Sequence, residues 1–320
     1  MKKLFALTFF WFFLLPFSSL QAQGVAIDQN FSIKTSPAIP EPNSEVTVEL
    51  DAYAYDTVGA TINWFIDGQE NTNVKNQYNF KLNTKAIGQA TEIKVVATMP
   101  SGKTLTKTIL LKPARVDVVI EANTLVPSFY QGRALPTIGS TIRVIATPYT
   151  GESTAAKDFT YAWKHDNQVL FGGPVKGKQV AEIEVGQGLE QIITVDVINK
   201  NGVTVARKSV VLPLHKPEVV FYEENPLRGA SQIAINNSYY LTSDEVTLRA
   251  EPYYMDKNIF SSQPLIEWTL NNRKISNQSQ DPQYLTLQKK TDAGAVKLRF
   301  HIRNLNQLLQ GVKGDLSISF

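Results

Sequence analysis

The sequence predicts an all-β protein built from three copies of a two-layer sandwich. Trp64, Trp163 and Trp268 recur at spacings of 99 and 105 residues, and each lies in a short run in which alternate residues are apolar. Such alternation is typical of strands with one buried face. No stretch of ten or more residues shows convincing helical periodicity. The repetition predicts three similar units, each with an inward-facing tryptophan at the centre of its core.

A second alternating strand precedes each tryptophan strand, which strengthens the prediction of repeated units. Its inward candidates are Val46, Val48 and Leu50, then Ile142, Val144 and Ala146, then Val246, Leu248 and Ala250. A polar pair follows each tryptophan strand, and these residue types favour tight turns. The pairs are Asp67 and Gly68, Asp166 and Asn167, and Asn271 and Asn272.

The end of each unit predicts a hairpin. In the first two units the strands are joined by short turns at Gly102 and Gly202, whereas in the third we expect a longer loop containing Gly311 and Gly314. The last strand, Leu316 to Phe320, is then expected at an open sheet edge that could accept a partner strand.

Proline-containing segments separate the units and set the predicted domain boundaries. Pro113 ends the first unit, and Pro213 and Pro217 flank the second junction. Because proline cannot donate to a ladder and stiffens a linker, we expect three domains in a semi-rigid row. The predicted domains are residues 23–113, 114–215 and 216–320.

The N-terminus predicts export. Lys2 and Lys3 precede an apolar run from Leu4 to Phe17, and Ala22 is a small residue suited to cleavage before Gln23. These features are typical of a signal peptide, here residues 1–22, although an uncleaved N-terminal anchor is an alternative. We expect a periplasmic, cell-surface or secreted protein without a transmembrane segment in the mature chain.

The tryptophan strand carries a resemblance to a known fold family. The run from Ile62 to Gly68, with its inward tryptophan and Asp-Gly turn, resembles the third strand of immunoglobulin-like domains. The chain contains no cysteine, so the resemblance is to cysteine-free bacterial immunoglobulin-like and PKD-like tandem domains. It implies three tandem immunoglobulin-like sandwiches and no particular activity.

A narrower resemblance involves two other segments. The run from Pro127 to Pro136, together with the run from Glu223 to Pro226, resembles uncharacterised exported proteins of reduced-genome, candidate-phylum bacteria. This resemblance implies export and a cell-envelope context only.

The sequence predicts no catalytic, cofactor or metal site. It contains no G-x-S-x-G nucleophile motif, and its three histidines, His165, His215 and His301, fall at different positions of different repeats. We expect His165 to be a hydrogen-bonded or partly exposed structural residue, with a functional imidazole as the alternative. The formal charge is +3, and removal of Lys2 and Lys3 leaves +1. We therefore expect no nucleic-acid partner.

Two aromatic segments are the candidate interaction surfaces. Phe129, Tyr130 and Arg133 combine residue types that are enriched in binding hot spots. As an alternative, their loop could pack against the first repeat or cover the end of a sandwich. Tyr239 and Tyr240 lie in an insertion of the third repeat that has no counterpart in the other two.

The predicted function is non-enzymatic. We expect an adhesion, spacer or protein-interaction component of the cell envelope, whose partner is a protein or a glycan. A carbohydrate-recognising accessory module is the alternative, and an envelope hydrolase is a third possibility.

Overall fold

A computed structural model describes residues 31–53, 55–225, 227–277, 279–291 and 293–320. The predicted signal peptide lies outside these residues. The described chain is all-β, which confirms the predicted class, and contains no α-helix. It therefore offers no helix long and apolar enough to span a bilayer. Within these ranges, three short 3-10 turns accompany the strands: Thr72–Val74, Ala156–Asp158 and Ile259–Ser262.

In the described part of the first unit there are seven strands: β1 (Ser32–Ser36), β2 (Glu45–Asp51), β3 (Thr61–Ile66), β4 (Gln69–Glu70), β5 (Asn79–Asn83), β6 (Thr91–Thr98) and β7 (Thr104–Leu111). They make two antiparallel sheets with the strand orders β1-β2-β5 and β4-β3-β6-β7. Alternate side chains of both sheets meet in one buried core, which includes Val46, Val48, Ile93 and Val95. This arrangement is that of an immunoglobulin-like sandwich.

Eight strands form the second unit: β8 (Arg115–Ala122), β9 (Thr141–Tyr149), β10 (Thr160–His165), β11 (Gln168–Val169), β12 (Val175–Lys176), β13 (Val180–Glu184), β14 (Ile192–Ile198) and β15 (Thr204–Val211). The sheets have the orders β8-β9-β13 and β11-β10-β14-β15, and β12 also pairs with β10. The strand order of the first unit is therefore repeated, around a separate buried core.

The described residues of the third unit contain nine strands: β16 (Glu218–Asn225), β17 (Gly229–Ala230), β18 (Ser238–Tyr240), β19 (Glu245–Tyr253), β20 (Leu265–Leu270), β21 (Arg273–Ile275), β22 (Tyr284–Gln288), β23 (Ala295–Arg303) and β24 (Gly311–Ser319). The sheets have the orders β17-β16-β19-β22 and β18-β24-β23-β20-β21. Strands β17 and β18 are additions to the plan of the first unit. The chain thus folds as three tandem immunoglobulin-like sandwiches.

The three tryptophans occupy equivalent places. Trp64, Trp163 and Trp268 expose 0%, 0% and 2% of their surfaces. Each indole N–H donates to a backbone carbonyl 13 to 15 residues later, with distances of 2.9 Å to Gln77, 2.8 Å to Lys178 and 2.9 Å to Pro282. The indole therefore fills the core and also anchors the segment that leads to the opposite sheet, so its single polar atom is satisfied.

The predicted turns after the tryptophan strands are confirmed by the backbone. Both residues of each pair have a positive φ, from 47° to 81°. Two-residue hairpins require this conformation because its twist matches that of the flanking strands. Glycine, asparagine and aspartate tolerate it best, which explains the residue types found at Asp67-Gly68 and at the two equivalent pairs.

Two expectations for the C-terminal strand were wrong. Gly311 and Gly314 do not lie in a loop, because β24 already begins at Gly311. Gly314 allows β16 to approach this strand closely, since a β-carbon there would lie 2.5 Å from Cβ of Val219. The strand is also not at an open edge. It pairs with β23 on one side and, in parallel, with β18 on the other.

Candidate interaction surfaces

The segment 123–137, between β8 and β9, crosses from the second unit to the third. Backbone N–H of Leu125 donates to the carbonyl of Met255 (2.7 Å), and backbone N–H of Tyr254 donates back to the carbonyl of Leu125 (2.8 Å). Lys257 N–H donates to the carbonyl of Asn123 (3.2 Å). The side chain of Leu125 packs against the buried core of the third unit. The segment is therefore hydrogen-bonded to both units like an added strand.

Phe129 and Tyr130 lie at this junction and not on a free loop. The ring of Phe129 packs edge-on against Tyr222 at 5.2 Å, and Tyr130 packs in the same way against Tyr253 at 5.2 Å. The Tyr130 hydroxyl lies 3.1 Å from the hydroxyl of Tyr254. A small separate apolar cluster is formed by Phe129, Tyr222, Tyr253 and Tyr254 together with Val126, Leu135 and Val220. The segment packs against the third unit. Packing against the first repeat, one of the two alternatives expected from the sequence, is therefore wrong.

Arg133 stays exposed and takes no part in this cluster. Tyr130 keeps 37% of its surface exposed, so its ring covers the outer side of the contact. Of the three candidate residues in this segment, the structure brings Phe129 and Tyr130 together with the third unit and leaves Arg133 in solvent.

Tyr254 connects the two units and adopts a strained conformation. Its φ is 61°, a left-handed value that aromatic residues rarely adopt. Its backbone N–H and carbonyl are both bonded to the second unit, since Thr137 Oγ1 donates to Tyr254 O at 2.8 Å. Burial raises the pKa of the Tyr254 hydroxyl well above its usual range. The hydroxyl therefore stays protonated and available to the Tyr130 hydroxyl.

A buried carboxyl lies at the end of the third unit that faces this junction. Glu251 precedes Tyr253 on β19, and its side chain accepts a hydrogen bond from Gln283 Nε2 at 3.1 Å and pairs with Arg249. Desolvation raises the pKa of Glu251 above its ordinary value of 4.5, although Arg249 opposes the shift.

Tyr239 and Tyr240 lie on β18, the strand that covers the edge of β24. The Tyr239 hydroxyl donates to Glu223 Oε2 at 3.0 Å, and burial together with this carboxylate raises the pKa of Tyr239 to about 12. Tyr240 is different, because 67% of its surface is exposed. The same connection between β16 and β19 exposes Leu227 and Ile233 by 96% and 80%. Tyr240 is therefore the accessible member of the pair.

A cleft of about 730 Å³ lies where the first unit meets the second, and the sequence patterns did not indicate it. Its lining includes four lysines that are distant in sequence and that only the fold brings together: Lys112, Lys157, Lys176 and Lys200. The apolar part of the lining consists of Leu110, Ala114, Phe159 and Val205. Motif searching could not find this cleft, because the four lysines come from four separate segments of the chain.

The histidines have structural surroundings. The His165 ring lies 2.8 Å from Gln191 Oε1, which confirms the expected hydrogen-bonded role. His215 packs against Tyr254 at 5.9 Å, and His301 lies 3.6 Å from a carboxylate oxygen of Glu267. Within the described residues, no three histidine or carboxylate side chains cluster as a metal site would require.

Comparison with known proteins gives no family. No family model matches the chain, and no curated protein matches it. Among solved structures, the chain is similar to three N-terminal domains of the Highly Immunogenic Outer Capsid protein of bacteriophage RB49, with 12% identity, coverage of 91% of this chain and 98% of that one, and a TM-score of 0.26.

It is also similar to the central fibronectin-III array of RIM-binding protein (12% identity, 91% and 95% coverage, TM-score 0.29). A third similar structure is Bacteroides ovatus SGBP-B, from a mixed-linkage glucan utilization locus, in complex with a heptasaccharide (13% identity, 87% and 64% coverage, TM-score 0.24). Likeness this weak carries no functional argument. The immunoglobulin-like fold rests on the sheet orders and cores described above.

Proposed function

We propose that this chain is an exported, non-catalytic interaction protein of the cell envelope, in which the second and third units form a stiff arm. The observation that carries the proposal is the exchange of backbone hydrogen bonds between Leu125 and residues 254–255. An arm held in one geometry loses little conformational freedom on binding, which favours a role in spacing or presentation.

The insertion on the third unit supplies a contact surface for this role. Tyr240, Leu227 and Ile233 are exposed large side chains on one connection, and exposed apolar side chains of this kind mark interaction sites when they group together. Tyrosine is also enriched among residues that dominate binding energy. We assign the protein partner to this insertion instead of to the segment 123–137, whose aromatic rings are used within the chain.

The first experiment tests export. Cell fractionation and N-terminal sequencing should find the chain outside the cytoplasm, beginning at Gln23. Recovery of the chain in the cytoplasm, starting at Met1, would remove the export part of the proposal.

The second experiment tests interaction. Immobilised protein should capture envelope components, and a Leu227→Ala, Ile233→Ala, Tyr240→Ala variant should capture less. A matched variant at three exposed valines outside the insertion, Val58→Ala, Val119→Ala and Val211→Ala, should behave like the unaltered protein. No capture from any envelope fraction, or turnover of peptidoglycan by the purified chain, would contradict the proposal.

Glycan recognition is the second candidate function. The lysine-lined cleft between the first and second units favours it, because ligand sites are common in clefts between domains.

A further inference from the structure

We infer that the cleft between the first and second units binds an acidic oligosaccharide, a sugar chain that carries carboxylates. The inference rests on the proposed interaction function and names a ligand class for one site within it. The cleft volume of about 730 Å³ falls within the range of about 300–1,000 Å³ that is typical of ligand sites.

The charge of the lining selects an anion. Of its four lysines, only Lys112 has an ion-pair partner within the described chain, Glu152 at 3.0 Å. The other three lysines have exposed side chains, and none of them forms an ion pair with a described carboxylate: Lys157, Lys176 and Lys200. A concave surface with one excess sign of charge focuses its field on a ligand of the opposite sign. Carboxylates spaced along a sugar chain would satisfy these ammonium groups.

The fold holds two of these lysines close together. Lys157 belongs to a 3-10 turn, and Lys176 belongs to the short strand β12. Backbone N–H of Gly177 donates to the carbonyl of Phe159 at 2.9 Å, which ties the two segments to each other. The backbone that carries the pair is therefore held in place, so little loop ordering is required when an anion binds.

The remaining polar groups favour a sugar over a densely charged polyanion. Glu152 and Asp158 also line the cleft, and Ser153 Oγ donates to Asp158 Oδ2 at 2.6 Å. Carboxylates accept hydrogen bonds from sugar hydroxyls, and they repel the closely spaced phosphates of a polyphosphate more strongly than the more widely spaced carboxylates of a sugar chain.

Asn199 adds an oriented donor to the cleft. Its side-chain oxygen accepts backbone N–H bonds from Asn201 and Val203, each at 3.0 Å. With the oxygen held by the turn, the amide NH₂ group of Asn199 makes no hydrogen bond to any other described residue and can donate to a ligand hydroxyl.

The test is affinity electrophoresis of the purified protein in native gels containing a polymer. The probes are polygalacturonate, which carries carboxylates, dextran, which is neutral, and inorganic polyphosphate. Mobility is compared for each variant with and without polymer, so the intrinsic charge of the variant cancels. We expect retardation by polygalacturonate and none by dextran. Polyphosphate should retard the protein less than polygalacturonate does.

The charge-reversed variant Lys157→Glu, Lys176→Glu should lose about tenfold or more in affinity for polygalacturonate, because two favourable charge contacts become repulsive. The control Lys290→Glu, Lys313→Glu reverses two exposed lysines of the third unit and should bind like the unaltered protein. Near-ultraviolet circular dichroism checks that each variant is folded.

Four results would overturn the inference. The first two are no retardation of the unaltered protein by polygalacturonate, or equal affinity of the charge-reversed variant and the unaltered protein for it. The others are an equal loss of affinity in the control variant, or lysine-dependent binding of polyphosphate that is stronger than binding of polygalacturonate. The capture experiment with envelope components distinguishes failure of the cleft inference from failure of the proposed function. If the charge-reversed variant and the unaltered protein both capture envelope components, the function stands without this site. If neither captures any, the function itself fails.

Discussion

The two junctions of this chain look alike in sequence but differ in structure. Each contains proline, yet in the described chain one ion pair, Lys112 with Glu152, crosses between the first and second units. Between the second and third units, the segment 123–137 adds backbone hydrogen bonds, a partly buried leucine and edge-on aromatic contacts. The difference teaches that a loop outside the linker, and not the linker's prolines, supplies the contacts that distinguish the two junctions.

The two junctions also treat backbone conformation differently. At the first, Gly88 and Gly151 are in contact, and both have a φ of 76°. Glycine adopts this conformation without steric strain because it has no β-carbon. At the second, Tyr254 adopts a positive φ despite its bulk. Such strain persists only where surrounding contacts over-determine the residue. The second junction is therefore built to hold one geometry.

The largest expected effect follows from removing the Tyr254 ring. Tyr254→Ala keeps the positive φ but deletes a side chain that is 7% exposed, so we expect a loss of about 3 kcal/mol in unfolding free energy. Calorimetry should show the second and third units unfolding together in the unaltered protein and separately in the variant. Tyr53→Ala is the control, because Tyr53 is 91% exposed and its loss should change stability by less than about 0.5 kcal/mol. Equal losses of unfolding free energy in the two variants would contradict the structural role given to Tyr254 at the second junction.

The next effect concerns the glycine contact. A β-carbon at Gly151 would lie 2.4 Å from Cα of Gly88, so Gly151→Ala should displace the first unit and change the small-angle X-ray scattering profile. Gly102→Ala isolates the conformational cost, since Gly102 has a φ of 82° and open space around it. Both variants should lose about 1–2 kcal/mol from the strained φ, but only Gly151→Ala should alter the scattering. An unchanged scattering profile for both variants would mean that the first unit does not contact the second through Gly88 and Gly151.

The buried carboxyl should give the third unit a pH dependence. Because the pKa of Glu251 is raised in the folded state, the unfolded chain releases this proton first as pH rises. Stability is then expected to fall as pH increases above 4.5, and Glu251→Gln should flatten that fall. Glu267 is the control of opposite sign, since its hydrogen bond with Lys274 lowers its pKa, so its contribution is lost as pH falls. Denaturant unfolding over a pH series measures both, and equal pH slopes for Glu251→Gln and the unaltered protein would contradict the prediction.

The smallest expected effect is at the ion pair of the first junction. Both side chains are largely exposed, so Lys112→Ala should change stability by about 0.5 kcal/mol or less. Lys81→Ala, which removes an exposed pair within the first unit, should give a similar small value by thermal unfolding. A loss well above 1 kcal/mol at Lys112 alone would show that the first junction is stiffer than this account holds.

Local patterns predicted the parts of the fold that local chemistry controls. The alternating strands, the three buried indoles and the positive-φ turns follow from side-chain period and turn preferences. The destination of the segment 123–137 could not be predicted, because its partners, Tyr222 and Tyr254, lie about a hundred residues away. For the same reason β18, which covers the edge of β24, and the lysine cleft are tertiary features without a sequence motif.

The central claim is that the second and third units move as one body while the first is more loosely joined. The chain has no cysteine, so spin labels can be placed in pairs on exposed strand positions without background labelling. Labels at Thr108→Cys and Lys208→Cys report on the first junction, and labels at Lys208→Cys and Lys313→Cys report on the second. Double electron–electron resonance should give a broad distance distribution for the first pair of labels and a narrow one for the second. A broad distribution for the second pair, or equal widths for both, would contradict the account.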